Sequence, residues 1–202
     1  MNEIVVCADV HEGMNFPYLI DLETGISARA LDIHKNLIKA AEFAIKEGSK
    51  LFIVLGDLFD RTHVSPTYGK MVREDIIEPL GKAGVKVWLV AGNHDQPKSF
   101  RKGSPTEEYF VGFPHVKVYR KPTVEKLELQ DKKILFLIVP YLWQEQIMEL
   151  VKEKLDKDIP TEQVLITAQS IIKNWLETKS VESSGDYKIL LAHYYIEGAR
   201  LT

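Results

Sequence analysis

The sequence predicts an α/β fold. Three observations carry that prediction. Short apolar, β-branched runs alternate with stretches of helical spacing through the first half, and closely spaced strand-like runs follow in the second. With 45% of its 202 residues hydrophobic and 27% charged, the chain can bury a sizeable core. Its length suits one domain, so residues 1–202 are expected to form a single unit.

The elements follow in order. Ile4 to Ala8 is an apolar run that ends at Asp9, the pattern of a buried strand delivering a polar residue at its carboxyl end. After a long loop, Ser27 stands as an N-cap, and Leu31, Ile33, Leu37, Ile38, Ala41, Phe43, Ala44 and Ile45 keep helical spacing until Gly48. Leu51 to Leu55 is a second buried strand, Tyr68 to Ala83 a second helix, and Val85 to Val90 a third strand. This alternation is the signature of parallel strands with crossovers.

The second half changes character. His115 to Tyr119, Val124 to Leu129 and Ile134 to Val139 are strand candidates with short turns between them, Asp131 marking one, so an antiparallel meander is expected. Gln144 to Leu155 and Thr161 to Thr178 read as helices. The second carries Val164, Leu165, Ala168, Ile171, Ile172, Trp175 and Leu176 at core-packing spacing. Tyr187 to Ala192 is a last strand leading into His193, after a polar loop over 182–186.

Composition narrows the function classes. No run approaches the roughly 20 apolar residues of a membrane span, and Ile4, Val5 and Val6 follow the N-terminus without a basic leader region. The expected protein is soluble, not secreted, and cytoplasmic or nucleoid-associated. Its single cysteine, Cys7, reads as a small buried hydrophobe rather than a ligand or disulfide partner. A net charge of −3 does not suit a nucleic-acid coat, though it permits a local basic track. Lys98, Arg101, Lys102, Lys117, Arg120 and Lys121, with Phe100 and Tyr119 between them, form such a track or an ordinary solvated surface.

Polar residues collect where strands end: Asp9-Val10-His11, Gly56-Asp57-Leu58-Phe59-Asp60, Gly92-Asn93-His94-Asp95, and His193. In open α/β sheets the carboxyl ends of strands share one crevice, so these blocks converge in space. Carboxylate, amide and imidazole donors together suit Mn²⁺, Fe²⁺ or Zn²⁺. In an extended segment residues two apart point the same way, so Asp9 and His11 are expected to grip one ion. The glycines before Asp57 and Asn93 allow a sharp turn and a close approach. Asp95, directly after His94, is expected to orient that imidazole through a hydrogen bond. His34 and His115 have no motif context and read as packing or surface residues.

With these blocks in place the sequence resembles the calcineurin-like metallophosphoesterase superfamily, whose pattern is Asp-x-His, Gly-Asp-x-x-Asp/Asn, Gly-Asn-His-Asp/Glu, a lone His, and Gly-His-x-His. The first four blocks stand here. Within that superfamily it is similar to the DNA double-strand-break repair nucleases, the bacterial SbcD exonuclease and its archaeal and eukaryotic counterpart, Mre-eleven. Supporting features are Glu12-Gly13 before a long loop, Val139-Pro140-Tyr141-Leu142, and His193 followed by Glu197-Gly198.

The resemblance implies a four-layer α/β/β/α sandwich, two mixed sheets flanked by helices, with the C-terminal strands missing. It further implies two divalent ions, most readily Mn²⁺. Asp9 and His11 would bind one, Asn93 and His193 the other, and Asp57 both; His94 would be a non-ligand acid and Asp95 its catalytic neighbour. The implied activity is a DNA exonuclease or endonuclease that processes ends. Its implied partners are DNA, a coiled-coil ATPase subunit of the SbcC type, and a second copy in a homodimer. Two other readings stay open: a phosphoesterase of the same fold acting on nucleotides or phosphoproteins, and a catalytically incomplete scaffold.

Substrate contacts are expected from His63, Arg61 and Tyr18, with an ordinary surface histidine as the other reading of His63. The loop from Met14 to Gly25, with Phe16, Pro17 and Tyr18, is long enough to meet duplex ends. Asp60 is expected to be structural or to support a metal ligand from behind. No histidine follows His193, so the Gly-His-x-His block is missing and the domain is expected to be truncated, binding metal weakly in this form.

Overall fold

The computed structural model describes residues 4–14, 16, 18–155 and 161–194. Pro17, Glu197 and Gly198, which the sequence reading singled out, lie outside the described residues. The described chain divides into two units: one runs to Pro97 and includes Gly103–Tyr119, and the other combines Lys98–Lys102 with the chain from Arg120 onward.

The first unit is built on β1 (Ile4–Cys7), β2 (Leu51–Leu55), β3 (Lys86–Val90) and β4 (Val116–Tyr119), ordered β1-β2-β3-β4. All pairings are parallel, with Ile4 opposite Leu51, Leu51 opposite Lys86 and Val87 opposite Val116. Parallel neighbours need crossovers. They are α1 (Ala28–Lys46), then a run of α2 (Pro66–Val72), a π-helical segment (Arg73–Ile77) and α3 (Glu78–Lys82), then α4 (Pro105–Phe110). The run corresponds to the expected helix from Tyr68 to Ala83. Ser27 sits at the N-cap of α1, but its hydroxyl makes no capping bond. Gly48, at φ +66°, follows the last turn in the left-handed conformation that ends the helix.

The core lies between β2, β3 and these helices. Phe52, Val54, Val87 and Leu89 pack against Leu37, Ala41 and Ala44 of α1 and against Ile76, Ile77, Leu80 and Phe110. Each large side chain removed from water stabilises the fold by about 1.5–3 kcal/mol. A strand set so firmly can hold strained loops at its carboxyl end.

β4 departs from the expected meander. It pairs parallel with β3 because α4, only six residues long, returns the chain to the start of the sheet. A helix of that length shows no periodicity. Its signal is a capping box: the Ser104 hydroxyl accepts the Glu107 N–H, the Glu107 carboxylate accepts the Ser104 N–H, and a proline stands in the first turn.

The second unit carries β5 (Thr123–Leu129), β6 (Lys132–Val139), β7 (Tyr187–Ala192), α5 (Gln144–Leu155) and α6 (Thr161–Glu182). β5 and β6 form the expected hairpin, with Gln130 and Asp131 at φ +49° and +62°. Two consecutive left-handed residues match the twist of a tight hairpin. β7 joins β6 in parallel, Ile134 opposite Tyr187 through Val139 opposite Ala192, so this sheet is mixed while the first is parallel. In α6, Ile171, Ile172, Trp175 and Leu176 are half-buried; the side chains of Val164, Leu165 and Ala168 lie outside the described residues.

Arg120 is no part of an open basic track. Buried, it donates to the carbonyls of Lys102 at 2.9 Å and Ser99 at 3.4 Å, pinning the 98–102 segment, and its guanidinium lies over Phe100. No helix among the described residues is long and apolar enough to cross a membrane.

Candidate metal centre

Two loops in the first unit lie side by side. The N–H groups of Asp9, His11 and Glu12 donate to the carbonyls of Gly56, Asp57 and Leu58 at 3.2, 2.9 and 2.8 Å, and Asp60 N–H returns to the Glu12 carbonyl at 3.1 Å. This ladder dictates an unusual backbone. Asp9, His11 and Asp57 have φ of +52°, +54° and +51°, left-handed values that are costly for residues with a Cβ. The expected extended Asp9-Val10-His11 segment is therefore absent. Two left-handed residues, rather than strand alternation, turn both side chains the same way.

The third loop comes from β3. A Cβ on Gly92 would run into the Asp57 carboxylate and backbone nitrogen, so only glycine lets these loops meet. Asp57 Oδ1 accepts the His94 N–H at 2.8 Å. The Asp95 carboxylate, fully buried, accepts the Gly92 N–H and the Leu58 N–H, each at 2.8 Å. Burial pushes its pKa up to about 6, with the Gly92 N–H opposing the rise and the Asp57 charge adding to it. Asp95 thus fastens one loop to the other, in place of the expected hydrogen bond to the His94 ring. The Asp60 carbonyl takes that role, 2.8 Å from His94 Nδ1.

Two donor sets result. The ligand atoms of Asp9, His11 and Asp57 lie within 4.8 Å of one another, and so do those of His11, Asp60 and His94. His11 Nε2 is 3.8 Å from Asp57 Oδ2, and the His11 ring meets the His94 ring edge to face. His11 Nδ1 is buried and makes no hydrogen bond among the described residues, with Asp60 Oδ1 3.5 Å away. Hard carboxylate oxygens, imidazole nitrogens, an unused buried nitrogen and a cradle that a single Cβ would fill all fit divalent cations. Asn93 stands half-buried in the third loop.

His193 belongs to the second unit. It follows β7, and its N–H donates to the Val139 carbonyl at 3.2 Å. The Tyr194 hydroxyl accepts the Leu142 N–H at 2.8 Å and its ring stacks on Tyr141, so the Val139–Leu142 stretch is the local scaffold for His193.

Of the expected substrate contacts, Arg61 and His63 come together at a cavity of about 260 Å³, which Glu12, Gly13 and Tyr68 also line. Arg61 is tied to Asp60 Oδ2 at 2.9 Å. Tyr18 is 80% exposed and does not line the cavity. Sequence reasoning missed Asp60 as a member of a donor set, and it missed the contacts of His34 with Glu12 at 3.1 Å and Asp75 at 3.0 Å. The signal for His34 was available: it is the polar residue in the buried stripe Ala30, His34, Leu37, Ala41, Ala44 of α1. His115 does pack, its Nε2 2.9 Å from the Ile77 carbonyl oxygen.

Fold and site together define an α/β protein with a candidate divalent-cation centre at the carboxyl ends of parallel strands. The chain belongs to the calcineurin-like phosphoesterase family, whose family model matches residues 3–202. It is similar to exonuclease subunit 1 of Enterobacteria phage T4, 29% identical over 116 residues that cover 56% of this chain and 33% of that protein. It is also similar to the DNA double-strand break repair protein Mre11 of Sulfurisphaera tokodaii, 27% identical over 185 residues, 74% of this chain and 46% of that protein. The chain therefore spans less than half the length of these relatives. Among solved structures, the protein AQ665 of Aquifex aeolicus aligns over 96% of this chain and 81% of its own, at 17% identity and a TM-score of 0.44.

Proposed function

We propose that the protein is a metal-dependent phosphodiesterase that acts on DNA ends in double-strand-break repair and recombination. The observation that carries this reading is the convergence of Asp9, His11, Asp57, Asp60 and His94 on loops whose backbone is strained to present them. Asp9, His11, Asp57 and Asn93 hold the divalent cations, manganese by preference. When bound, such ions polarise a phosphoryl oxygen and make a water nucleophilic near neutral pH. The assignment of His193 rests on motif order.

The residues of the chain supply the rest. Nδ1 of His94 is engaged by the Asp60 carbonyl, which leaves Nε2, on an exposed side chain, to give a proton to the leaving oxygen when the ring is charged. Arg61 and His63, at the neighbouring cavity, receive the phosphate or sugar of the adjoining nucleotide. The two named relatives, an exonuclease subunit and a break-repair protein, support DNA as substrate. A coiled-coil ATPase partner, a homodimer and a cytoplasmic site of action complete the proposal.

The test is cleavage with Mn²⁺ of single-stranded DNA, blunt duplex, a small phosphodiester and a phosphomonoester, with His94→Ala as control. Hydrolysis of the diesters and DNA is expected; hydrolysis of monoesters alone rejects the nuclease reading.

A further inference from the structure

A buried imidazole lies directly behind the loop that carries His11. His34, on α1 and 4% exposed, has a carboxylate at each ring nitrogen: Nδ1 is 3.1 Å from Glu12 Oε1, and Nε2 is 3.0 Å from Asp75 Oδ2. The Nε2–Asp75 contact is a hydrogen bond, and the Nδ1–Glu12 contact is an ion-pair approach without hydrogen-bond geometry, so the charged ring is the form that gives both carboxylates a counter-charge.

The pairing matters most for Glu12. Its side chain is wholly buried, its carboxylate oxygens make no hydrogen bond among the described residues, and the His34 ring stands beside it as a counter-charge at 3.1 Å. Burying a lone carboxylate is expensive, and it persists only with a counter-charge. Glu12 is also the residue after His11, and its backbone is bonded to Leu58 and Asp60 in the ladder that holds His11 left-handed. Such a conformation lasts only where its surroundings over-determine it. Asp75 reaches His34 from the π-helical segment, a kind of turn found frequently at functional sites.

We propose that His34 is a positioning residue of the metal centre: held by Asp75, it fixes the buried Glu12 carboxylate and, through Glu12, the backbone that presents His11 to a cation. This rests on the reading of His11 as a ligand.

Titration calorimetry with Mn²⁺, alongside circular dichroism, tests it. His34→Ala is expected to weaken Mn²⁺ binding about 10- to 100-fold, the usual effect of removing a group that orients a ligand, with an unchanged far-ultraviolet spectrum. His34→Asn places an amide nitrogen beside Glu12 where Nδ1 stood, gives that carboxylate a donor and recovers most of the affinity. His34→Gln reaches only toward Asp75 and does not recover it. Should the alanine variant fail to fold, the Asn and Gln pair carries the test, being alike in polarity and different only in the carboxylate they reach. A folded His34→Ala that binds Mn²⁺ within twofold of the native protein, or Asn and Gln variants that bind alike, overturns the positioning role alone. A native protein that binds no Mn²⁺ overturns the metal reading and this role with it.

Discussion

Gly92 presses against Asp57 so closely that the missing side chain of one leaves room for the carboxylate of the other. The third strand-end loop thereby touches the second, and the Asp57 carboxylate is buried between them with its Oδ1 bonded to the His94 N–H. The contact lets carboxylate and imidazole donors share one small volume.

Gly92→Ala is the direct probe of this contact. Overpacking a rigid site costs about 1–3 kcal/mol, and here the obstructing atoms include backbone, which cannot swing aside. The urea midpoint should fall accordingly, and Mn²⁺ affinity should drop at least about tenfold. An unchanged midpoint would mean that the loops separate without cost.

Asp95 is fully buried, so its removal acts on stability rather than on contact with substrate. Asp95→Ala leaves the Leu58 and Gly92 N–H groups without their acceptor, at about 1–3 kcal/mol for each buried group. Asp95→Asn keeps one acceptor oxygen and should lose about half as much. Denaturant titration of both variants checks the order, and equal losses would contradict the two-bond account.

The His34 pairing has a pH signature. Burial works against the charged ring, but the Glu12 and Asp75 carboxylates outweigh it, so the folded-state pKa lies above the ordinary histidine value. A raised value in the fold stabilises the protein fully below the unfolded pKa of about 6.5, and that contribution is lost as pH rises through the folded value. In metal-free protein the unfolding free energy should therefore decline on the alkaline side, less steeply in Asp75→Asn. Proton NMR of the His34 ring should show its titration midpoint moving down in that variant. A midpoint that stays put removes Asp75 from the account.

How much of this was legible in the sequence depends on how locally each feature is encoded. The strands before Asp57 and Asn93 were readable because parallel strands buried on both faces are continuous apolar runs; the one before Asp9 shares the apolar pattern but lies half-buried at the sheet edge, with Val6 exposed, and is not the buried strand expected. The left-handed residues were not, since Asp9 and His11 have no intrinsic reason to adopt φ near +50° and do so only because Gly56, Asp57 and Leu58 accept their loop's N–H groups. Asp60 looked structural for a similar reason: its closeness to His11 is created by the same ladder. Glu12, His34 and Asp75 are far apart in sequence and meet only after α1 and the π-helical segment have packed. The meander failed because six residues of α4 decide the direction of β4.

Ser104→Ala tests that last step. The Ser104 hydroxyl and Glu107 form both halves of a capping box on a helix too short to persist by itself. Loss of the hydroxyl should cost about 0.5–2 kcal/mol, and Ser104→Asp should recover most of it. Thermal unfolding followed by circular dichroism reads both, and an unaltered alanine variant would show that packing of Phe110 alone holds α4.

His94 admits two roles, and one variant separates them. Its ring stands with His11 and Asp60 in a donor set, which allows it to be a ligand. Yet its side chain is exposed, its Nδ1 is engaged by the Asp60 carbonyl, and its N–H is bonded to Asp57. A ring fixed in this way at one nitrogen presents Nε2 as a directed proton donor. His94→Ala should then retain Mn²⁺ affinity within about threefold and lose cleavage by about 10²- to 10⁴-fold, the range of a lost general acid. The loss should be smaller with a substrate whose leaving group is a weak base, such as a nitrophenolate, because such a group departs without a proton. Loss of Mn²⁺ binding in step with cleavage, and equally for both leaving groups, would make His94 a ligand and transfer the acid to another group.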